Sequence, residues 1–520
     1  MKRICLAITL AALTLSAGEE NKGIVIDFRK PSIKEWIKRC RYARLEEDFE
    51  KTPVLTIEVP KGKQVRSLAN TVAIPVDLSK AGITGNFLYA SAEIAHFNVS
   101  VPSANYLGVK FMLPLESASK GTNHADLYHN SGSTPSRCGT RDWFTVHSQV
   151  EVPADVKKGI LFLGLQDCYG RVSFRNIRLE AGKNRRKSIF ELSPEKIGKA
   201  RYTVSLPRQR GVMSPSRGMR EQDFADLAVW GANALRYQIG VGPRKGCEND
   251  IAYLRNGLEK QIPEIQRVLD LAKKYGIMVT LDVHSTSHFS KRLFMATREG
   301  RDLLVEFWCK LVRKFKGHPA LFGYNLLNEP HSRELAANDP DLVQQYDRLI
   351  QTIRKIDPVT PIIIESDHMS SAEKLPYLPV YPYANIIYSI HTYMPGFITH
   401  QLNRDSASFL PYPCPERKID KNYLRRWLEP VRRFQLLTGA RIYVGEFGCL
   451  RWVPGADQYI KDNIDLFEEF GWDWNYHAFR EFDGWSVEHS ENPHDMKRYP
   501  DTKRKRVLLE GFRKNRSETP

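Results

Sequence analysis

The sequence has no long apolar run after its first 18 residues. A helix that crosses a bilayer needs about 20 mostly apolar residues, so we expect no membrane anchor in the remainder of the chain. The first residues have a pattern of their own: Lys2 and Arg3 precede an apolar run over 4–15, and small residues follow up to Gly18. This arrangement is typical of a secretory signal peptide. We therefore predict a signal over residues 1–18 and a secreted protein, extracellular or periplasmic.

Cysteine is scarce, and its spacing fits no metal site. Besides Cys5 in the predicted signal, seven cysteines are scattered along the chain: Cys40, Cys138, Cys168, Cys247, Cys309, Cys414 and Cys449. Sequence alone assigns no partners to them. Cys138 and Cys168 fall in one predicted domain and could form a disulfide. Cys309 lies on the apolar side of a predicted helix, where we expect a buried thiol.

Histidine and carboxylate side chains do not form a closed set of metal ligands either. His284 and His288 are four residues apart, but His284 falls at the end of a predicted strand and not on a helix. Asp367 and His368 follow another predicted strand and do not complete a set. A metal enzyme is therefore disfavoured, and we expect no metal and no cofactor.

Acidic residues are fewer than basic ones. The chain has 60 Asp and Glu against 77 Lys and Arg, which gives a net charge of +17 and a pI of about 9.4. Such a balance fits a nucleic-acid, anionic-polysaccharide or cell-surface partner, or simply a solvated basic surface. The basic residues are spread along the chain and no base-stacking motif accompanies them, so we expect no nucleic-acid partner. The densest run, 503–506, precedes apolar residues and predicts a terminal amphipathic helix.

Residues 20–182 have the pattern of an all-β domain. Short alternating runs are separated by Gly, Pro, Ser and Asn, which predicts a β-sandwich: Val54–Val59, Val72–Val76, Tyr106–Met112, Trp143–Val146 and Val172–Leu179. The last strand, Arg171–Glu180, resembles the closing strand of jelly-roll carbohydrate-binding modules. Trp143, Tyr128 and Tyr169 either stack on sugar rings or pack in the core. Residues 183–200 are predicted to be a linker because their first part is polar and basic.

From residue 201 to 520, strands alternate with amphipathic helices, which predicts a parallel sheet. Eight strands are expected: Arg210–Met213, Ala234–Tyr237, Ile277–His284, Leu321–Leu327, Pro361–Glu365, Ile386–His391, Ile442–Glu446 and Trp472–His477. The economical architecture is an α/β fold, a (β/α)8 or TIM barrel preceded by the β-sandwich. Active sites of such barrels lie at the carboxyl ends of the strands.

Chemically capable side chains fall at those strand ends. Pro330 cannot continue a strand and leaves Glu329 at the tip of the fourth one. Glu446 ends the seventh strand in the same way. Six further polar or aromatic residues stand at or just after strand ends: Arg236, His284, Asn328, His391, Tyr393 and Trp485. Their convergence at one rim predicts a catalytic site with paired carboxylates.

Over about residues 205–515 these motifs resemble glycoside hydrolase family five, the cellulase-like retaining barrel enzymes. The sharpest motifs are Asn328-Glu329-Pro330 and Gly445-Glu446-Phe447-Gly448, supported by Asp282-Val283-His284 and His391-Thr392-Tyr393. The resemblance implies that Glu329 is the general acid/base and Glu446 the nucleophile. In such enzymes the two carboxyl groups lie about 5 to 5.5 Å apart. Arg236 would lower the pKa of Glu446, Tyr393 would orient it, and Asn328 would bind the sugar 2-hydroxyl. His284 and His391 would bind the sugar and support the acid/base.

Two features depart from that family. A tryptophan commonly follows its eighth strand, where this chain has His477, so that Trp474 or Trp485 would have to provide the stacking platform. A long segment over Pro395–Lys421 begins without helical or strand pattern and is expected to form a rim loop that shapes specificity.

The resemblance implies a secreted hydrolase of β-linked polysaccharide, an endo-β-1,4-glucanase first. A β-mannanase or another β-glycanase of the same family is the alternative, since the rim loops choose between substrates. A third hypothesis, from another functional class, is a glycan-binding protein whose barrel has lost activity. The presence of both glutamates favours catalysis.

Overall fold

A computed structural model describes residues 23–103, 107–118, 121–128, 138–182, 186–242, 244, 247, 250–284, 293–335, 339–406 and 408–517. The predicted signal over residues 1–18, as well as Tyr106 and His288, lies outside these residues. The chain divides into two compact units, and of the described residues those up to Gly182 belong to the first and those from Arg186 to the second. Among the described helices, none has the length and apolar character that a bilayer crossing requires.

The first unit is a sandwich of two antiparallel sheets. One sheet has six strands: β1 (Gly23–Val25), β2 (Ala43–Glu47), β3 (Pro53–Val59), β5 (Phe87–Val99), β8 (Gly139–Glu151) and β10 (Gly170–Ala181). The other has four: β4 (Thr71–Asp77), β6 (Gly108–Ser117), β7 (Gly121–Asp126) and β9 (Lys158–Gln166). One helix, Pro31–Lys38, follows β1. The predicted all-β architecture is confirmed.

The sandwich core comes from alternating residues of both sheets. On β10, Val172 and Phe174 are fully buried. The neighbouring residue Arg171 points to the opposite face of the sheet and is exposed. Cys138 and Cys168, which could have formed a disulfide, are not joined by one, and the Cys168 thiol donates to the Ser100 carbonyl at 3.0 Å. Both cysteines are buried in the core.

Two of the three aromatic residues considered for sugar stacking have other roles. Tyr128 is buried and packs on Phe144, with ring centroids 5.7 Å apart. The guanidinium of Arg175 lies 4.4 Å over the ring of Trp143 and covers one of its faces. Tyr169, in contrast, is half-buried and lines a surface groove.

The stretch expected to be a linker lies partly in the second unit. Ile189 is buried in the core of that unit, where an interdomain linker would leave it exposed. The backbone N–H of Ala200 donates to Thr438 at 2.8 Å, and Tyr202 donates its hydroxyl to the Ile386 carbonyl at 3.0 Å. Residues 186–200 therefore pack within the second unit.

The second unit is a closed barrel of eight parallel strands. They are β11 (Arg210–Met213), β12 (Ala234–Ile239), β13 (Met278–Val283), β14 (Leu321–Asn325), β15 (Ile362–Glu365), β16 (Ile386–Thr392), β17 (Ile442–Phe447) and β18 (Asp473–Tyr476). Each strand pairs with the next in sequence and β18 pairs with β11. The predicted TIM barrel is confirmed, with each strand close to its expected position.

Among the described residues, eight long helices accompany these strands: Glu221–Trp230, Ile251–Glu259, Ile262–Lys274, Arg298–Phe315, Leu342–Arg354, Lys421–Thr438, Ala456–Phe470 and Lys503–Ser517. The last is the predicted terminal helix, and it buries Leu508 and Phe512 against the barrel. Cys309 is only half-buried, since it lies at the border of the apolar face of its helix.

Candidate active site

Glu329 and Glu446 meet at the carboxyl end of the barrel. An oxygen of each carboxylate and a ring nitrogen of His391 all lie within 4.8 Å of one another. Glu446 is almost completely buried near the end of β17, whereas the Glu329 side chain, four residues beyond β14, is partly exposed. Paired carboxylates about 5 to 5.5 Å apart, with no room for an intervening water, are the geometry of retaining glycosidases.

Arg236 on β12 holds the floor of this site together. Its fully buried guanidinium donates to Glu446 at 2.7 Å, to Glu365 at 2.8 Å and to the side-chain oxygen of Asn328 at 2.8 Å. The Asp282 carboxylate lies 3.0 Å away. A rigid planar cation with several donors is suited to such a shared position, and the surrounding carboxylates compensate its burial.

Glu446 is kept ionised by positive charge around it. Burial alone would raise the pKa of its carboxyl group, but the charges of His391, His477 and Arg236 outweigh burial and hold that pKa well below its usual range. The Tyr393 hydroxyl adds a hydrogen bond to the second carboxylate oxygen at 2.7 Å. A carboxylate that is ionised and fixed at both oxygens is prepared for nucleophilic attack.

His391 lies between the carboxylates. Its Nδ1 atom is 3.0 Å from Glu329 and 3.6 Å from Glu446, and its Nε2 atom is 3.6 Å from Glu365. Burial works against the charged ring, but the charges of Glu446 and Glu365 and the hydrogen bond to Glu329 raise the pKa of His391 to about 10. Gly445 allows this approach, because a Cβ at that position would lie 2.8 Å from Nε2.

Glu365 is a member of the site that our sequence reasoning did not select. It ends β15, is fully buried, and accepts the backbone N–H of Glu329 at 2.7 Å in addition to its contact with Arg236. It also accepts a hydrogen bond from the Ser370 hydroxyl. Burial would raise the pKa of Glu365, yet His391 and Arg236 lower it below its usual range. The signal was present in the sequence, since Glu365 ends its predicted strand, Pro361–Glu365, as Glu446 ends the predicted strand Ile442–Glu446.

The backbone at Glu329 has an unusual conformation that this contact supports. Its φ is +44°, in the left-handed region that non-glycine residues rarely adopt. Three consecutive residues beyond β15, His368, Met369 and Ser370, have φ between +54° and +60°. Ser370 in this left-handed turn is the residue that donates to Glu365. Strained backbone of this kind persists where neighbouring groups hold it in place.

His477 connects Tyr393 to a further carboxylate. Its Nδ1 atom is 2.8 Å from the Tyr393 hydroxyl, and its Nε2 atom is 3.1 Å from Glu481, which sequence reasoning also missed. Burial opposes the charged ring, but Glu446 and Glu481 raise the pKa of His477. A protonated His477 donates to both partners, which leaves the Tyr393 hydroxyl proton directed at Glu446.

Trp485 is the tryptophan at this rim, and Trp474 is not. Trp474 is fully buried on the outer side of β18, where it stacks on Phe512 at 5.4 Å and donates to Glu468, so it offers no surface to a sugar. Trp485 is 8% exposed, and its ring lies 5.5 Å from Tyr393 and 4.9 Å from His400. The expectation that Trp474 could be the platform is wrong, because alternate residues of a strand face opposite sides.

The remaining predicted residues also reach the site. His284 follows β13, and its Nδ1 atom is 2.7 Å from Asp282, which in turn contacts Arg236. Asn328 is buried beside Arg236. Within the rim segment, whose start has no helical or strand pattern in the sequence, short helical turns occur over Gly396–Thr399 and Pro415–Arg417. Tyr412 in this segment is buried and donates to Asp462 at 2.8 Å, so the segment is anchored to the barrel.

Glu329, His391 and Glu446 are close enough together to contact one metal ion. Metal coordination requires a neutral imidazole, so an ion at this place would have to displace the proton that the neighbouring carboxylates favour on His391 by raising its pKa. The arrangement therefore fits proton transfer and nucleophilic attack better than it fits a metal centre.

Comparisons with known proteins identify the family of this chain. Residues 201–478 match the family model described as Cellulase (glycosyl hydrolase family 5). Cellodextrinase A of Ruminococcus flavefaciens is 24% identical over 46% of this chain and 71% of its own length. Endoglucanase C of Acetivibrio thermocellus is 25% identical over 49% of this chain and 83% of its own. The solved structure of Thermotoga maritima Cel5A in complex with cellobiose is 19% identical and covers 58% of this chain and 97% of that chain with a TM-score of 0.46.

Proposed function

Because the chain belongs to the cellulase family, glycosyl hydrolase family 5, and is a glycoside hydrolase, we propose that it cleaves β-1,4-linked glucan chains with retention of configuration. The observation that carries the mechanism is the pair of carboxylates at the barrel rim, Glu329 and Glu446, with oxygens within 4.8 Å of each other. The names of the two relatives, an endoglucanase and a cellodextrinase, support a β-glucan as the first substrate to test.

In the first step Glu446 attacks the anomeric carbon while Glu329 gives a proton to the departing glycosidic oxygen. The bond from the anomeric carbon to that oxygen breaks, and an ester between the sugar and Glu446 forms. In the second step Glu329 takes a proton from water, which attacks the same carbon and releases Glu446 as a carboxylate. Two carboxyl groups and water are sufficient for both steps.

Neighbouring residues have distinct parts in this scheme. Arg236 and Tyr393 fix the two oxygens of Glu446, each at 2.7 Å, so that one lone pair points at the substrate. We assign Asn328 to the sugar 2-hydroxyl, because its side-chain oxygen is fixed by Arg236 and the orientation of its amide is thereby set. We assign Trp485, which is 8% exposed at the rim, to stacking on the sugar at the cleavage position.

The first test is hydrolysis of a panel of cellulose-type, mixed-linkage, mannan and xylan substrates, measured as new reducing ends. We expect the wild type to cleave β-1,4-glucan and Glu446→Gln to lose at least about 10³-fold in kcat, as expected when a nucleophile is removed. Glu429→Gln, an exposed carboxylate on the helix Lys421–Thr438, is the matched control and should retain activity. If the protein cleaves only mannan or only xylan, the proposed substrate would be wrong, but the proposed mechanism would stand.

A second measurement isolates the intermediate. A 2-deoxy-2-fluoro-β-cellobioside with a good leaving group slows the second step, so the sugar should remain attached to the protein. Mass spectrometry of the digested protein should then find it on the peptide that contains Glu446. If the fluorinated sugar inactivates the protein but the mass of the protein is unchanged, double displacement would be contradicted. If the protein cleaves none of the substrates in the panel, a glycan-binding role would be favoured.

A further inference from the structure

A groove crosses one end of the six-stranded sheet of the first unit. Its volume is about 620 Å³, and it is bordered by four adjacent strands, β2, β3, β10 and β5. We name it the arginine groove after its main residues: Arg41, Tyr42, Arg44, Phe97, Tyr169 and Arg171. None of them belongs to the catalytic site, and all lie in the first unit.

The sheet register places these side chains in one row. Arg171 is the Cα partner of Glu58 on one neighbouring strand and of Phe97 on the other. Residues directly opposite each other on antiparallel strands share a face, so these three side chains stand side by side on the outer face. Phe97 is 49% exposed in this row and makes no part of the sandwich core. Tyr42 and Tyr169 are half-buried and pack on the edge of the core beside it.

The charge in the groove is mostly positive. Three arginines line it against one carboxylate, Glu58. Arg44 is paired with Glu58 at 2.8 Å and with Glu46 at 2.6 Å. Within the described part of the chain, Arg41 and Arg171 make no ion pair or side-chain hydrogen bond. Their guanidinium groups lie 5.7 Å over Tyr42 and 5.4 Å over Phe97, so each aromatic ring supports a guanidinium that still has its donors to offer.

We propose that the arginine groove binds an anionic polysaccharide, one whose sugar rings carry carboxylate or sulfate groups. Guanidinium groups form paired hydrogen bonds to planar or tetrahedral oxyanions, and the aromatic rings offer apolar surface to the faces of sugar rings. The net charge of +17 attracts such a polymer over distance. A polysaccharide is favoured over another polyanion because the same chain carries a glycoside hydrolase barrel, and to this extent the inference rests on the proposed function.

The test is binding by the whole protein with the nucleophile replaced, Glu446→Gln, so that no probe is cleaved. Isothermal titration calorimetry would measure the affinity for three probes: polygalacturonate, which is carboxylated, dextran sulfate, which is sulfated, and hydroxyethyl cellulose, which is neutral. We expect an anionic probe to bind at least tenfold more tightly than the neutral one, with affinity that falls as salt rises. The two anionic probes distinguish which oxyanion the groove prefers.

Variants then locate the site. The double variant Arg41→Ala/Arg171→Ala should bind the anionic probes at least tenfold more weakly than the parent protein. Phe97→Ala should bind them roughly tenfold more weakly. Arg178→Ala removes the same charge from an exposed position farther along β10 and should change the affinity less than twofold. Thermal melts of each variant establish that the sandwich is intact.

Three results would overturn the proposal: equal affinity for neutral and anionic probes, an equal loss in Arg178→Ala, or no binding at all. The first would mean a neutral-glycan groove, and the second would mean attraction by overall charge only. Failure of the proposed catalytic function is a separate result, because it appears as a lack of hydrolysis while anionic binding persists.

Discussion

Among single residues, Glu365 has the largest structural role in the active site that no sequence motif indicated. It contacts the backbone of Glu329, the guanidinium of Arg236 and, at 3.6 Å, the ring of His391. These are three parts of the site, on three different strands or their ends. Glu365 itself is fully buried and cannot reach the substrate. It acts through its neighbours and is a positioning residue.

We therefore expect Glu365→Gln to lower kcat roughly 100-fold while KM changes little, since an error in placement of about 1 Å can cost that much. Glutamine keeps the shape and removes the charge that helps to raise the pKa of His391, so the pH–rate profile should move to lower pH on its basic side. The measurement is kcat and KM between pH 4 and 10. Asp357→Asn, a buried carboxylate that accepts from Tyr324 away from the site, is the control and should affect stability but not the profile. An unchanged profile in Glu365→Gln would refute this role.

At this scale the sequence indicated residues that the structure brings together, but not the contacts between them. Glu329 and Glu446 were found because a buried strand that ends in a carboxylate stands out in the sequence. The links from Glu365 to Glu329 and from His477 to Glu481 depend on which strands are neighbours and on backbone conformation. Neither contact can be predicted from the spacing of residues along one strand. Trp474 was misjudged because its inward or outward direction depends on register.

At the scale of the element, the turn after β15 is the most distinctive. His368, Met369 and Ser370 all have left-handed backbone, which costs an L-residue roughly 1 to 2 kcal/mol each. The turn directs Ser370 toward Glu365. Met369 is 51% exposed, so its side chain contributes little packing to offset that cost.

Met369→Gly should accordingly stabilise the protein by up to about 1 kcal/mol, because glycine adopts φ near +60° without steric cost. Glu373→Gly, an exposed residue in the following turn at Ala372–Tyr377, lacks a left-handed backbone and should destabilise it. Chemical denaturation of both variants gives the free energies. A destabilised Met369→Gly would mean that the left-handed turn carries no strain.

Strands were predicted more accurately than helix ends. Apolar β-branched runs such as Ile362–Ile364 and Ile386–Ile387 identify barrel strands because parallel strands are buried on both faces. Asp339 followed by Pro340 predicts a helix start, but the helix begins after Asp341, which forms a capping box with Gln344. The apolar spacing over about Glu259–Tyr275 predicts one helix, which the structure has at Ile262–Lys274, and a further helix that the sequence did not indicate, Ile251–Glu259, precedes it. Adjacent capping signals compete, and sequence alone does not rank them.

For the whole molecule, the buried charges of the site couple stability to pH. The pKa of His391 is raised from 6.5 to about 10, so its contribution to stability is fully present below pH 6.5 and is lost as pH rises toward 10. The pKa values of Glu365 and Glu446 are lowered from 4.5, so their contribution is present above that pH and is lost as pH falls below it. Stability from this site is therefore greatest between about pH 5 and 6.5.

We expect Tm to decrease on both sides of that window. His391→Asn should flatten the alkaline side and Glu365→Gln the acidic side, each relative to the wild type. Differential scanning calorimetry at pH 4, 6 and 9 measures the three values. His494→Asn, an exposed histidine, should leave the curve unchanged. A wild-type Tm that is equal at pH 6 and 9 would contradict the coupling.

The guanidinium of Arg236 also has a consequence for the order of events in catalysis. When Glu446 becomes an ester, one negative charge disappears 2.7 Å from Arg236, and Glu365 and Asp282 remain as its ion-pair partners within the described part of the chain. The same cation that makes Glu446 a weaker nucleophile makes it a better leaving group. Return of the carboxylate restores the ion pair with Arg236, so the protein favours release of the sugar from the covalent intermediate.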